Sequence, residues 1–282
     1  MTTVIEFATD SLEDNIAFSP YAEKFQEMHG GRVYVKTIWN AILYSENPNV
    51  YFVDKYMEIR SDKYYTIKFN FTNTPLQKII CDQLGLEYAE LVPKIKTNGI
   101  YTFNKKKKYV CISTQSTAQL KYWNNNNGWD KVVRYLKELK YDVYVIDKNS
   151  VFGTSEKWNN IPKTAIDDTG EYPIEYRIAQ IKNCHFFIGL SSGLSWLAWA
   201  LGKKVITISG CTEEYNEFVS NNYRVINKNG CYGCLNDPYI NNKDRIKSDG
   251  WLYCPRNKKF ECSKEISFNM VKQKIDELMA KV

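Results

Sequence analysis

The chain has 282 residues, enough for two domains of ordinary size. Its 44% hydrophobic and 25% charged residues are typical of a globular protein with a substantial core. The net charge of +6 suits phosphate-bearing ligands or acidic partners, but it is too small an excess to indicate nucleic-acid binding alone. The longest apolar stretch, residues 194–201, is shorter than the roughly 20 residues that span a bilayer, which excludes a membrane-spanning helix.

The first residues, MTTVIEFATDSLEDN, lack the basic and apolar regions of a secretory signal, so we expect a cytoplasmic location. In that compartment, eight cysteines are more typical of metal ligands and buried thiols than of disulfides. Four of them lie in apolar segments and are predicted to be core residues: Cys81, Cys111, Cys184 and Cys211.

Strand and helix signals alternate along the first part of the chain. Strands are predicted at residues 4–8, 32–36, 50–53 and 64–71, and helices at residues 14–28 and 74–84. The first helix is expected to stop at His29-Gly30-Gly31. Pro75 falls near the first turn of the second helix, where proline is tolerated.

A second alternating series follows the lysine run at residues 105–108. Strands are predicted at residues 109–113, 142–146, 185–188 and 204–209, and helices at residues 129–139, 173–181 and 193–201. A last helix is predicted over residues 266–282, where Val271, Ile275 and Leu278 recur at helical spacing. Alternation of this kind predicts βαβ units and mostly parallel sheets.

The two series predict an α/β protein made of two Rossmann-like domains. We place the first domain at residues 1–105 and the second at residues 106–265, with a hinge near residues 92–108. A cysteine-rich segment at residues 229–263 interrupts the second domain.

Ligands of parallel sheets bind at the carboxyl ends of the strands, and the first such end carries Asp10 and Asp14. Asp10 or Ser11 could be the N-cap of the following helix, with acidic residues in its first turn, and Asp14 could instead act as a general base in a cleft between the domains. The second strand end is a polar loop with Thr114, Gln115 and Lys121, whose groups suit a diphosphate but are also ordinary in a loop.

The third strand end is Ser191-Ser192-Gly193, which opens a helix. Glycine lets a ligand approach the backbone closely, and a helix N-terminus favours phosphate. The same helix can bury Leu194, Leu197 and Leu201, so a core helix and a binding tip are compatible. None of the three loops matches a dinucleotide-binding or P-loop glycine motif.

Four cysteines form the pattern C-x2-C-x19-C-x7-C: Cys231, Cys234, Cys254 and Cys262. A CxxC turn brings two thiolates together, and a second pair can complete a tetrahedron around one metal ion. Four thiolates favour zinc or iron, and a site with every position occupied is structural rather than catalytic. Chance burial of unliganded thiols is the alternative.

Three segments, residues 112–147, 186–210 and 226–266, together resemble a known family. Their most specific parts are GLSSGLSWLAWA and the four-cysteine pattern. They are similar to the bacterial autotransporter heptosyltransferases, protein O-glycosyltransferases related to the lipopolysaccharide heptosyltransferases of glycosyltransferase family 9. The similarity extends from about residue 10 to the end of the chain.

The resemblance implies a GT-B fold, with the donor bound mostly by the second domain and the helix at residues 266–282 returning to pack on the first. It implies an inverting transfer of heptose from ADP-heptose to Ser or Thr hydroxyls of an acceptor protein, with no catalytic metal. The cysteines match an iron-binding finger, so one structural Fe³⁺ per chain is expected, with zinc as the alternative.

The resemblance also assigns roles to residues. Asp14 matches the proposed base, with Glu13 standing where the family usually has glycine. The donor-binding residues that it implies are Thr114, Gln115, Lys121, Ser191, Ser192 and Gly193. Ser191 stands where the lipopolysaccharide branch has Asp, and Trp196 replaces a His common there.

Members of the autotransporter branch usually carry a further domain before the Rossmann core, whereas this sequence begins at the first predicted core strand. We therefore expect a homo-oligomer without assigning its size. The partners implied are an ADP-sugar and an acceptor protein, with no nucleic acid.

Two other functions stay open at the sequence level. One is a related transferase that uses another nucleotide sugar or a glycan acceptor. The other is a non-enzymatic zinc-finger protein that binds nucleic acid, which would need a basic face near the cysteines. Charges of both signs occur there: Lys243, Arg245, Lys247 and Arg256 with Asp237, Asp244 and Asp249.

Overall fold

A computed structural model describes residues 1–69, 73–99, 101–152, 159–240 and 252–281. Several sequence predictions fall partly outside these ranges. They are the end of the strand at residues 64–71, residues 241–251 of the cysteine segment with their charged side chains, and Val282 of the last helix.

The first half of the chain contains a parallel sheet in the order β3-β2-β1-β4. Its central strand β1 buries Val4, Ile5 and Phe7, which explains the apolar run at the N-terminus. The strands are β1 (Thr2–Phe7), β2 (Arg32–Thr37), β3 (Val50–Asp54) and β4 (Lys63–Ile67).

Three helices accompany this sheet: α1 (Leu12–Phe18), α2 (Tyr21–His29) and α3 (Lys78–Leu84). The single helix predicted over residues 14–28 is wrong in one respect, because the structure divides it at Ser19 and Pro20. Pro20 has no N–H to donate to the carbonyl of Ile16. The Ser19 hydroxyl donates to that carbonyl instead, at 2.9 Å.

The second half contains a larger parallel sheet, which has six strands among the described residues, in the order β12-β11-β10-β5-β6-β9. The strands are β5 (Tyr109–Ile112), β6 (Asp142–Val145), β9 (Ile166–Asp167), β10 (Phe187–Leu190), β11 (Val205–Ile208) and β12 (Asn222–Val225). A separate antiparallel pair joins β7 (Val151–Phe152) to β8 (Asn159–Asn160). The predicted parallel α/β architecture is confirmed.

The helices of this half are α4 (Gly128–Glu138), α5 (Ile174–Asn183) and α6 (Gly193–Ala200), followed by α7 (Glu261–Lys264) and α8 (Phe268–Met279). Helix α8 packs on α4 and on the β11–β12 edge of the larger sheet. Its apolar stripe, Val271, Ile275 and Leu278, belongs to the core of the second half.

The resemblance implied that this last helix packs on the first domain, whereas in the structure it packs on the second half of the chain. The helix is tied to the second half from its start, because the indole of Trp123 donates to the carbonyl of Ile266 at 2.8 Å. The domain boundary at residue 105 and the hinge stay predictions.

The two halves meet where α1 packs against α6. Gly193 makes this contact possible: a Cβ there would lie 3.0 Å from the Cβ of Leu12 and 3.2 Å from the backbone nitrogen of Glu13. The N-termini of both helices follow the carboxyl ends of β1 and β10, so a cleft lies where parallel sheets bind ligands. Across the described part of the chain, no helix is long and apolar enough to cross a membrane.

Candidate active site

The cleft between the halves holds a cavity of about 720 Å³, which we call the large cavity. The turn before α1 and the first residues of α1 form one side, and the loops after β5, β6 and β10 form the other. Among the lining residues are Ser11 and Glu13 from the first half, and Gln115, Asp147 and Ser192 from the second.

A second cavity of about 230 Å³, the small cavity, also adjoins the start of α1. Ser11, Glu13 and Thr117 line both cavities, so these residues form their shared rim. Asp14 lines the small cavity and does not line the large one.

Asp14 is almost entirely buried, with 7% of its surface exposed. Its backbone N–H donates to the hydroxyl of the N-cap residue Ser11, and its carboxylate accepts a hydrogen bond from Thr9 Oγ1 at 2.8 Å. Burial raises the pKa of Asp14 to about 7, and repulsion from Glu13 adds to the effect. A carboxyl group with such a pKa exchanges its proton near neutral pH, as a general base requires.

Glu13 and Lys121 form an ion pair across the cleft, with 2.9 Å between Oε2 and Nζ. The two side chains are only 12% and 14% exposed, so solvent screens the pair weakly. Burial raises the pKa of Glu13, while the adjacent ammonium opposes that rise. Lys121, predicted to contact a diphosphate, thus lies on the small cavity and is paired with a carboxylate.

The loop after β5 is organised by Asp147, which sequence reasoning missed. Its buried carboxylate accepts hydrogen bonds from Ser113 Oγ at 2.6 Å, from Thr114 N at 2.7 Å and from Thr114 Oγ1 at 2.9 Å. Thr114 is completely buried beneath the large cavity, whereas Gln115 lines it. The sequence does contain one indication of this role, because Asp147 directly follows a predicted strand.

The loop after β10 likewise has residues that line the large cavity and one residue that is buried. Ser192 and Gly193 line the large cavity at the start of α6, and the side chain of Ser192 makes no capping hydrogen bond to that helix. Ser191 is buried, and its hydroxyl donates to the carboxylate of Glu217. Arg224 pairs with the same carboxylate, which gives a buried network that supports the loop from below.

The far end of the large cavity is formed by Tyr172 and Arg177. The guanidinium of Arg177 donates to the carbonyls of Asp168 at 2.8 Å and Gly170 at 3.0 Å, and it lies 4.8 Å from the centre of the Tyr172 ring. Tyr172 is half exposed and therefore offers an aromatic surface. Neither residue was singled out from the sequence, because a tyrosine before a helix and an arginine within it are common.

The four predicted metal ligands lie in one region. Cys231, Cys234 and Cys262 are buried, Cys254 is partly buried, and none forms a disulfide. Burial raises the pKa of Cys234 and of Cys262, and neighbouring thiols add to both shifts. Within the described ranges, however, no group of three or more His, Cys, Asp or Glu side chains has the arrangement of a metal site. Metal coordination stays a prediction.

Comparison with known proteins places these observations in a family. The profile of glycosyltransferase family 9 (heptosyltransferase) matches residues 49–243. The autotransporter heptosyltransferase BAHTCr of Citrobacter rodentium is 36% identical over 296 aligned positions, which cover 98% of this chain and 71% of that protein. The chain belongs to the autotransporter heptosyltransferases of glycosyltransferase family 9.

A solved structure agrees with this membership. The iron-containing dodecameric glycosyltransferase TibC from enterotoxigenic E. coli superposes on this heptosyltransferase with a TM-score of 0.89 at 33% identity, covering 99% of this chain and 76% of TibC. TibC has also been solved in complex with ADP-D-beta-D-heptose, with a TM-score of 0.88. The similarity to named heptosyltransferases over nearly the whole chain supports an enzyme rather than a non-enzymatic nucleic-acid-binding protein.

A further relative differs in its named activity. BimC of Burkholderia thailandensis is named an inactive autotransporter heptosyltransferase, and it is 34% identical over 173 residues, which cover 59% of this chain and 39% of BimC.

Proposed function

We propose that this heptosyltransferase transfers heptose from ADP-heptose to Ser or Thr hydroxyls of an acceptor protein, with inversion at the anomeric carbon. The observation that carries the proposal is Asp14, a buried carboxyl group whose pKa is raised to about 7, beside a cleft between two parallel sheets. Family membership and the ADP-heptose bound by TibC support the donor.

The large cavity would hold the donor. The first turn of α6, at Ser192 and Gly193, presents backbone N–H groups and the positive end of the helix dipole, which suit the diphosphate. The exposed ring of Tyr172, backed by Arg177, offers a stacking surface for adenine at the other end. Gln115 adds an amide at the cavity wall.

The buried members of the predicted site would act indirectly. Thr114 and Ser191 hold the two loops through Asp147 and Glu217, so we assign them to loop positioning rather than to direct donor contact. Lys121 lies on the side of Asp14, where its ammonium, shared with Glu13, would balance the negative charge of the departing ADP.

In the proposed reaction, the acceptor oxygen attacks the anomeric carbon as Asp14 accepts the hydroxyl proton. The bond between the anomeric carbon and the phosphate oxygen breaks, and ADP leaves with the bonding electron pair. General-base assistance of this kind contributes about 10²–10⁴-fold to the rate, and holding both substrates between the halves contributes further.

Replacement of Asp14 tests the proposal. Asp14→Asn keeps the shape of the side chain but removes the base, so ADP release from ADP-heptose with an acceptor present should fall by about 10²–10⁴-fold. Asp82→Asn, an exposed carboxylate in an ion pair on α3, is the matched control and should keep wild-type turnover. Near-normal turnover by Asp14→Asn would remove Asp14 from the base role.

Donor identity is tested by thermal shift of the wild-type protein with ADP-heptose and with competing nucleotide sugars, because a ligand that binds the folded state raises its stability. Selective stabilisation by ADP-heptose is expected. Equal or stronger stabilisation by another nucleotide sugar would favour the related-transferase alternative.

We also propose that Cys231, Cys234, Cys254 and Cys262 hold one structural iron and that the chain forms a homo-oligomer, as the names of the TibC structures state for TibC. The ligand chemistry suits iron, because all four cysteines are free thiols and iron accepts thiolate ligands. Bound iron would cross-link the segment. Elemental analysis and light scattering are the tests, and a metal-free monomer would contradict both proposals.

A further inference from the structure

From the arrangement of the two cavities, we infer that the small cavity is the acceptor subsite, which receives a short hydroxylated side chain of an extended peptide. We also infer that the cysteine segment forms one wall of this subsite. The inference rests on the proposed function and adds the path by which the acceptor reaches the base.

The position of Asp14 separates the two substrates. A general base must come within about 2.6–3.2 Å of the hydroxyl oxygen whose proton it takes. Because Asp14 lines the small cavity and not the large one, the hydroxyl has to approach through the small cavity. The reacting carbon then lies at the shared rim of Ser11, Glu13 and Thr117.

The walls of the small cavity suit a short, uncharged side chain. Leu76 and Ile79 form an apolar wall beside α3, and Leu235 forms another in the cysteine segment. Polar groups line the rest: Asn216 and Asn236 add amides, and Asp14 and the Glu13–Lys121 pair lie on the α1 side. Apolar walls with a few polar groups are typical of ligand sites. At about 230 Å³, against 720 Å³ for the large cavity, this site suits a Ser or Thr side chain better than a nucleotide sugar.

The wall on the cysteine side is held in place by the protein itself. Leu235 and Asn236 directly follow Cys234 in a 3₁₀ turn. The backbone N–H of Leu235 donates to the carbonyl of Cys211 at 2.8 Å, and Asn236 Nδ2 donates to Asn216 Oδ1 at 2.9 Å. The cysteine segment therefore reaches the acceptor side of the cleft, since neither Leu235 nor Asn236 lines the large cavity.

Narrowing the small cavity from either wall should weaken acceptor binding while donor binding stays intact. Ile79→Trp fills it from α3, and Leu235→Trp fills it from the cysteine segment. The matched control is Ile174→Trp, which adds the same bulk to the large cavity. The probes are ADP, ADP-heptose and a synthetic peptide in which Ser and Thr alternate with Ala and Gly.

We expect both small-cavity variants to raise the KM for the peptide by about tenfold or more, while the Kd for ADP stays within about twofold. The control should weaken ADP binding instead. Because added bulk can destabilise a core, Ala118→Leu, a smaller addition to the same cavity, repeats the test in a milder form. Thermal unfolding of each variant verifies that it is folded.

Each other outcome contradicts the inference. An unchanged peptide KM in folded variants, with the wild type active on the peptide, would exclude this subsite and leave the proposed function standing. Loss of ADP affinity together with peptide affinity would mean that the cavities do not separate the substrates. A wild type that releases ADP but never modifies the peptide would exclude a peptide acceptor, and a wild type that releases no ADP would overturn the proposed function as well.

Discussion

At the residue scale, the proposed chemistry rests on two adjacent carboxylates with different neighbours. Glu13 has the Lys121 ammonium 2.9 Å away, whereas Asp14 has the Thr9 hydroxyl and the Ser11 N-cap in an otherwise buried site. Burial raises the pKa of both carboxyl groups, and the adjacent Lys121 ammonium opposes that rise most directly at Glu13. Different environments of this kind let one member of a pair act as a base near neutral pH.

Glu13→Gln tests this coupling. Activity should fall as pH drops through the pKa of Asp14, because the base must be ionised. Removing the Glu13 charge lowers that pKa, and the freed Lys121 ammonium lowers it further. The acid limb of the kcat/KM profile should therefore move from about pH 7 to lower pH. Glu23→Gln, which breaks the Lys94 ion pair away from the cleft, is the control and should leave the limb in place.

The predicted shift of the acid limb requires that other ionisable groups near Glu13 and Asp14 do not change their charge over the same pH range. Glu217 lies near Glu13 and Lys121, but it is paired with Arg224. The thiol of Cys211 also lies near Lys121. Burial raises the pKa of that thiol to about 11, so the thiol stays neutral across the pH range of the profile. If the acid limb of the kcat/KM profile lies at the same pH in Glu13→Gln as in the wild type, the coupling between Glu13 and Asp14 is contradicted.

Asp14 should also make stability depend on pH. Its folded pKa of about 7 lies above the ordinary value of 3.8, so its contribution to stability is complete below pH 3.8 and is lost as pH rises through 7. Asp14→Asn should therefore be more stable than the wild type at pH 8.5, by up to about 4 kcal/mol, since each pKa unit corresponds to about 1.36 kcal/mol. At pH 4 the two proteins should have nearly equal free energies of unfolding. Urea unfolding at both pH values measures this, and an equal difference at both would contradict it.

At the element scale, the contact between α1 and α6 would align the proposed base with the proposed donor loop. Gly193→Ala would place a Cβ 3.0 Å from Leu12 and 3.2 Å from the Glu13 backbone, which requires the two helix starts to shift by a few tenths of an ångström. Small displacements of reacting groups are costly, so kcat should fall by about tenfold or more while the protein stays folded.

Gly202→Ala, just after the other end of α6, is the matched control for this prediction. Gly202 has φ of +75° and no neighbour within 4 Å, so alanine there costs about 1 kcal/mol of stability without pressing on α1. Steady-state kinetics should separate the two variants. Equal kcat values for both would mean that the close contact does not position the site.

The elements themselves were mostly predictable. Buried strands such as Phe187–Leu190 and Val205–Ile208 have continuous apolar sequences, and α4 has a clear amphipathic pattern. The edge strand Asn222–Val225 was missed because its residues are polar and mostly half-buried. The division of the first helix followed from Pro20, a signal that the sequence contains.

The candidate site was less predictable, because its contacts join distant parts of the chain. The loops that carry Gln115 and Ser192 could be located from strand ends. The Glu13–Lys121 pair spans 108 positions, and the bond between Ser191 and Glu217 joins two loops. No local pattern indicates which side chain faces the cavity and which one turns inward, so Thr114 and Ser191 were grouped with neighbours that line the cavity.

At the scale of the whole molecule, the two halves share a core. One apolar cluster contains Ile16 and Phe18 of α1 together with Trp196 and Leu197 of α6. The cleft is therefore built on packed helices, and both cavities are lined by residues at the start of α1. In the proposed function, this arrangement would bring the base, the donor loop and the cysteine segment together.

The central claim is heptosyl transfer that depends on Asp14, and mass spectrometry of the acceptor tests it most directly. The purified protein is incubated with ADP-heptose and a Ser- and Thr-containing acceptor, beside Asp14→Asn and Asp82→Asn. The account predicts one or more added heptose units on Ser or Thr with the wild type and Asp82→Asn, and almost none with Asp14→Asn. An unmodified acceptor with all three proteins, or equal modification by Asp14→Asn, would contradict it.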